Sequence, residues 1–397
     1  MKKHFATFDA DSHVVEPDAI WTAYLEAKYR PAARKVFWRE HTKSGVTFTL
    51  NGKPAAELPT PNLPRHAIWK PGMTPKKIGE MDMKKRHEPN PGAVDPKARL
   101  KDMDAMGVAQ ALLYPTYFLE YFPIADDAEV AHALARAYNT WIAGFCKAAP
   151  SRLFPVAVLP WQDVTLAIAE AKRVAAAGFK AVVVRPINRN GRFFHQPYFR
   201  PLWGELESLG LTLCIHPSSG PAAVEWETNA PFVERVSANM KIGHPVADLV
   251  ANTMDSGVSL VAMMADGMME KYPKLKTMFA HSGCAWLPVT LEKIETYLWL
   301  SQQADPVSLE PEHVYMGHAN AVTFDSGDGS VRRMHDLFEP IAAWGSRYPN
   351  QDTGTALEAI ADLEKGSVPS ATVERLMGGN ARRVLGIASQ AKVQSAT

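Results

Sequence analysis

The chain has 397 residues, 46% of them hydrophobic and 21% charged, an ordinary globular composition with room for one large barrel or two smaller domains. Its 43 basic and 42 acidic side chains leave a net charge of +1, which excludes a strong field for nucleic acid or an anionic membrane. Cys146, Cys214 and Cys284 lie far apart with no Cys-x-x-Cys pair, so no disulfide framework is expected and a reducing, cytoplasmic setting follows. The N-terminal stretch lacks the apolar core of a signal peptide, and no run of about 18 apolar residues predicts a membrane helix.

Short apolar runs alternate with longer amphipathic segments, the pattern of a parallel sheet wrapped in helices. The first predicted strand covers 5–10. A long excursion rich in proline and charge follows, about 80 residues, well beyond a normal βα connection. Within it, Asn51-Gly52 between VTFTL and KPAAEL reads as a two-residue hairpin turn. We expect the 17–96 insertion to cap the barrel mouth. Strand two is predicted at 108–114, after Gly107. A helix over 126–148 places Val130, Leu134, Ala137, Trp141 and Phe145 on one face. Strand three (153–159), a helix at 163–177 capped by Asp163, strand four (179–185, after Gly178) and strand five (211–216, after Gly210) continue the alternation. Then come a helix at 246–271, strand six (276–281), a helix at 285–303, strand seven (313–318) and strand eight (340–346). Two short helices around Gly378-Gly379-Asn380 close the chain, and 391–397 is a polar tail. The expected fold class is α/β, a (β/α)8 TIM barrel spanning 1–390 as one domain with an insertion after strand one.

Catalytic groups of such barrels come from the C-terminal ends of the strands. Strand one runs into Asp9-Ala10-Asp11-Ser12-His13, whose alternation puts Asp9, Asp11 and His13 on one side. Strand five ends in His216-Pro217 and strand six in His281-Ser282. A lone histidine at a strand end is more often a hydrogen-bonded loop residue. Three placed alike, with a carboxylate, suit a divalent metal such as zinc. Arg185, ending strand four, is a candidate for binding an anionic substrate, with a rim ion pair as the equal alternative. His318, ending strand seven, is a candidate substrate-binding or acid–base group. Asp9 is a candidate for orienting His13. His195 and His244 read as structural. Trp21, Trp69, Trp161, Trp226 and Trp286 read mostly as core, with one or two from the cap available to stack on a substrate.

Several segments together carry a family resemblance: DADSHVVEP at 9–17, DPKARLKDMDAMGVAQALLYPT at 95–116, AYNTWIAGFCKAAPSRLFPVAVLP at 137–160, FKAVVVRP at 179–186, MMEKYPKLKTMFAHSGCAWLP at 268–288 and MGGNARRVLGI at 377–387. The chain resembles the decarboxylase-like branch of the amidohydrolase superfamily. That resemblance implies Asp11, His13 and His216 as metal ligands and His281 as the group that moves the proton or polarises the substrate. One departure stands out. The eighth strand of the family ends in Gly-Ser-Asp-Tyr-Pro-His, whereas this chain reads Gly345-Ser346-Arg347-Tyr348-Pro349-Asn350. Arginine stays protonated and cannot ligate a metal. Either the metal survives on Asp11, His13 and His216, or the Arg347 guanidinium replaces it and pairs with Asp11 or Asp9. A shifted register, with Asp325 or Asp352 taking the aspartate's part, is a third reading.

The expectation is a hydrolase or nonoxidative carbon–carbon lyase of decarboxylase type acting on a small, aromatic or ring-derived organic acid. Asp11, His281 and Arg347 are its catalytic candidates. The alternatives are a metal-free lyase or hydratase built on Arg347 and a non-catalytic ligand-binding barrel. The expected partners are a small-molecule substrate and a second copy of the chain in a homo-oligomer, a dimer, with no nucleic acid or membrane.

Overall fold

The computed structural model describes residues 5–42, 45–55, 67–82, 88–218, 220, 222, 224, 226–237, 250–301 and 310–388. Eight strands form one parallel sheet: β1 (Phe8–His13), β5 (Gln110–Tyr114), β6 (Leu153–Val158), β7 (Ala181–Val184), β8 (Thr212–Ile215), β9 (Lys276–Phe279), β10 (Asn320–Phe324) and β11 (Ala342–Trp344), paired in that order. Residues of β5, β7, β8 and β10 are buried throughout. That is why these strands read as continuous apolar runs rather than alternating ones.

The last strand returns to the first. Ser346 donates from its backbone N–H (2.8 Å) and its hydroxyl (2.5 Å) to the Asp9 carboxylate. The Arg347 N–H donates to the Asp11 carbonyl at 2.7 Å, and the His13 N–H to the Tyr348 carbonyl at 2.6 Å. These bonds close the barrel. They also explain Gly345, where an added Cβ would stand 2.6 Å from the Asp11 Cβ.

Helices cover the strands in alternation: α1 (Pro96–Met106), α2 (Ala128–Cys146), α3 (Val164–Ala176), α4 (Arg200–Leu209), α5 (Ala230–Ser237), α6 (Asn252–Ala265) and α7 (Trp286–Ser301). Asp127 and Asp163 cap α2 and α3 by accepting backbone N–H bonds. Gly107 and Gly210 end α1 and α4 with φ of 76° and 66°, a left-handed conformation that favours glycine. Ser370–Glu374 and Asn380–Leu385 flank a wide turn at Arg375–Gly379. No helix among the described residues is long and apolar enough to cross a membrane.

The expectation for strand seven requires correction. Residues 313–318 are not extended: Pro311–Gly317 is a helix, α8, and the strand is Asn320–Phe324. Pro311 sits in the first turn, where its fixed φ favours helix. The short apolar run Val314-Tyr315-Met316 suits either state. The β-branched Val322 and Thr323 mark the true strand.

The insertion holds β2 (Phe37–Thr42), β3 (Gly45–Leu50) and β4 (Lys53–Pro54), a three-stranded antiparallel sheet. Its Asn51-Gly52 turn has φ of 48° and 81°, the two positive values a two-residue hairpin requires. Asn51 donates to the Ile124 carbonyl and accepts from the Asp126 N–H. Phe37 and Phe48 pack with Trp21, Phe118 and Tyr121. Further along, Trp69 and Asn90 bond to Pro349 and Tyr348. The insertion therefore leans on the segments that follow β5 and β11. Residues 391–397, expected to be a tail, lie outside the described residues.

Candidate metal centre

Asp11 and His13 end β1, where a register shift between Asp9 and Ser12 marks a bulge. Such a bulge re-aims the side chains beyond it. It breaks the expected alternation: Asp9 turns to Ser346, and burial raises its carboxyl to about 6 against those hydrogen bonds. His216 follows β8. His281 lies just beyond β9 at φ 61°, an uncommon conformation for a residue with a side chain, with its N–H on the Thr323 hydroxyl at 3.1 Å.

Four expected residues meet at one end of the barrel. The Asp11 Oδ1 lies 3.2 Å from His13 Nε2 and 3.4 Å from His216 Nε2, and the two Nε2 atoms are 3.3 Å apart. Donor atoms of Asp11, His216 and His281 lie within 4.8 Å of one another. The His216 and His281 rings stack at 5.2 Å. All four residues are buried.

The hydrogen bonds assign the tautomers. His13 Nδ1 lies 3.0 Å from the Pro115 carbonyl, and His216 Nδ1 lies 2.8 Å from the Pro217 carbonyl. A carbonyl only accepts, so each Nδ1 carries the proton and each Nε2 keeps a lone pair. Two lone pairs and a carboxylate thus converge on one point. Burial raises the Asp11 carboxyl, whereas positive charge and N–H groups on His216 and His13 would hold it well below the usual range; with both Nε2 atoms as lone pairs, a bound cation takes over that part. Burial lowers the His216 imidazole, with Asp11 opposing. An ionised carboxylate and neutral imidazoles repel one another unless a cation lies between them, and that donor set fits a divalent metal.

Arg99, which the sequence reading did not single out, positions this corner. Its buried guanidinium donates to the Gly92 carbonyl, the Ser12 hydroxyl and the His13 carbonyl and lies 4.2 Å from the centre of the Tyr348 ring. Its place in the DPKARLKDMDAMG segment was the available signal, but only the fold shows what it reaches.

Arg347 departs from the expected contact. At φ 58° its guanidinium pairs with Asp352 at 2.5 Å rather than with Asp11 or Asp9. Asp9 is already bonded to Ser346, and Asp11 faces the imidazoles. Asp325, just past β10, has its carboxyl raised by the protein around it, opposed by Arg347 and reinforced by Asp352 and Asp11.

The two expected substrate-binding residues bond to backbone carbonyls. Arg185 donates to the backbone carbonyls of Glu120, Ser218 and Gly220, so it clamps the loops after β5 and β8. His318 precedes β10 instead of ending a strand, which puts it at the opposite end of the barrel, bonded to Val314. His195 lines a groove beside α5 and α6, and His244 lies outside the described residues. Trp21, Trp69 and Trp286 are buried as expected, and Trp161 is partly buried. Trp226 is not core: it is 74% exposed.

The sequence from residue 9 to 387 matches the amidohydrolase family model. Gamma-resorcylate decarboxylase of Rhizobium sp. (strain MTP-10005) is 27% identical over 205 residues, half of this chain and 58% of that protein. The chain thus spans less than two thirds of that curated relative's length. The structure of an amidohydrolase from Mycobacterium avium subsp. paratuberculosis K-10 superposes with a TM-score of 0.76 at 19% identity, covering 96% of this chain and 99% of that one. Dihydroxybenzoic acid decarboxylase from Polaromonas sp. JS666, solved with manganese and 2-nitroresorcinol, gives 0.62 at 17% identity, covering 96% and 97%. With its eight-stranded barrel and a family match over nearly its whole length, the chain belongs to the amidohydrolase family.

Proposed function

We propose that the chain is a metal-dependent carboxy-lyase that removes CO2 from a small hydroxylated aromatic acid. The observation that carries this is the convergence of the His13 and His216 lone pairs on the ionised Asp11 carboxylate. Relatives described as decarboxylases of resorcylate and dihydroxybenzoate support the substrate class. Asp11, His13 and His216 hold the ion, with His281 beside them. When bound, it supplies a positive charge that binds an acidic substrate and stabilises charge developing on it.

The chain's own residues supply the rest. In decarboxylation the C–C bond breaks, its electrons stay on the ring carbon, and that carbon takes up a proton as CO2 leaves. His281, stacked on His216, delivers that proton. Asp325, whose raised carboxyl holds its proton closer to neutrality than an ordinary aspartic acid, replenishes it. Arg347 keeps further N–H groups beyond its bond to Asp352 for a substrate oxyanion. Because Asp352 neutralises Arg347, the guanidinium no longer opposes a metal, and we favour the metal-dependent reading over Arg347 as its replacement. The insertion closes over the site and excludes water. Manganese and zinc are both suitable ions. Three free, buried cysteines accord with a cytoplasmic setting.

The test is elemental analysis of protein purified without chelator, followed by CO2 release from a panel of hydroxybenzoates after loading with manganese or zinc. About one metal per chain and turnover of at least one acid are expected. Stoichiometric metal with turnover of esters or amides alone would instead make it a hydrolase. Absence of metal would revive Arg347 as the electrophile.

A further inference from the structure

Glu16 is the last acidic side chain of the DADSHVVEP segment, and the chemistry above makes no use of it. It is fully buried, so its carboxylate needs partners. It finds three successive backbone N–H groups just past β5. Thr116 (3.0 Å) and Phe118 (2.9 Å) donate to one oxygen and Tyr117 (3.0 Å) to the other. Burial pushes the carboxyl up to about 7, and these N–H groups oppose it. From the insertion, Arg39 of β2 donates to the Glu16 carbonyl at 2.7 Å.

These bonds fix one peptide plane. The Thr116 N–H and the Pro115 carbonyl belong to the same peptide group. That group is trans, so its N–H and C=O point in opposite directions. On one side the N–H meets Glu16. On the other the Pro115 carbonyl lies 3.0 Å from His13 Nδ1. The Thr116 hydroxyl, donating to the Val14 carbonyl at 2.7 Å, and the Val14 N–H, donating to the Tyr114 carbonyl at 3.0 Å, hold the plane against β1. Hydrogen bonds in a chain polarise one another. A carboxylate on the N–H end therefore makes the carbonyl at the other end a stronger acceptor.

We propose that Glu16 is a positioning residue for His13. Acting through the Pro115–Thr116 peptide, it keeps the His13 proton on Nδ1 and the Nε2 lone pair turned toward Asp11 and the metal. Imidazoles that ligate metals donate their other N–H to a carboxylate or a backbone carbonyl, which fixes the tautomer and raises ligand basicity. Here both are used in series, the carboxylate one peptide removed from the ring. His216 offers an internal comparison, because its Nδ1 faces the Pro217 carbonyl instead. The inference rests on the metal-centre reading above.

Glu16→Gln tests it. The amide keeps an acceptor oxygen for Thr116 and Phe118 while losing the charge and the acceptor for Tyr117. Metal titration of the full chain should show manganese and zinc bound about tenfold or more weakly. Nitrogen NMR of metal-free protein carrying isotope-labelled histidine reads the tautomer directly. The His13 signals, identified by their loss in His13→Gln, should move away from the Nδ1–H form in Glu16→Gln, and those of His216 should not. Wild-type affinity in the variant overturns the proposal. So does weaker binding with unchanged His13 signals, which would make Glu16 a merely structural carboxylate. Should the variant fail to fold, the wild type decides: a His13 proton on Nδ1 supports the relay, and one on Nε2 refutes it. A wild type that binds no metal would sink the metal-dependent reading, while the His13 signals of the metal-free chain would still decide this one.

Discussion

The two sides of the candidate metal centre are built differently. The β1–β11 corner, carrying Asp11 and His13, is cross-linked by side chains: Asp9 to Ser346, Arg99 to Ser12 and the His13 carbonyl, and Tyr348 to Asp102. The β8–β9 side, carrying His216 and His281, is tied through the segments after its strands: Arg185 to the Ser218 and Gly220 carbonyls, Ser282 to Ser256, and the His281 N–H to Thr323. A corner with locked rotamers is preorganised to hold an ion.

The largest expected effect comes from removing a ligand on either side. Asp11→Ala or His216→Ala should cut metal content at least about tenfold and turnover by about 1,000-fold or more, measured by elemental analysis and steady-state kinetics. Equal loss on both sides would show that the centre needs both. Full metal retention in either variant would remove that residue from the ligand set.

Support residues separate the sides more sharply. Arg99→Leu abandons three buried acceptors and should cost about 3 kcal/mol of stability. It should also cost roughly 10–100-fold in metal affinity, read by thermal melts and metal titration. Arg347→Met should raise KM for an acid substrate about tenfold while metal content holds, since its charge is paired with Asp352. A drop in metal content instead would tie Arg347 to the centre. Thr323→Val on the β8–β9 side should cost only about 1–2 kcal/mol and leave metal affinity unchanged.

The smallest effect is on pH dependence. Burial lowers the His216 pKa, so the unfolded chain takes up a proton below about pH 6.5 that the folded chain resists. Stability present above that pH is therefore lost as pH falls toward the folded pKa. The melting temperature of metal-free protein should decline on acidification through about pH 6.5, and less steeply for His216→Asn. Parallel curves would mean that His216 titrates alike in both states.

Much of the architecture was legible because strand and helix periods are local properties of the chain. Seven of the eight strands lie where apolar runs placed them, and Asp163 and the Asn51-Gly52 turn act through neighbours two or three residues away. The error at strand seven has the same root: Val314-Tyr315-Met316 is too short to show a period, and packing decided it. The cluster of Asp11, His13, His216 and His281 was readable because barrel topology brings strand ends together whatever the loops do. The partners of Arg347, Arg185 and Arg99 were not. A long cation has several carboxylates and carbonyls within reach, and which it meets depends on backbone angles and on which acceptors are already taken: Asp9 by Ser346, Asp11 by two imidazoles.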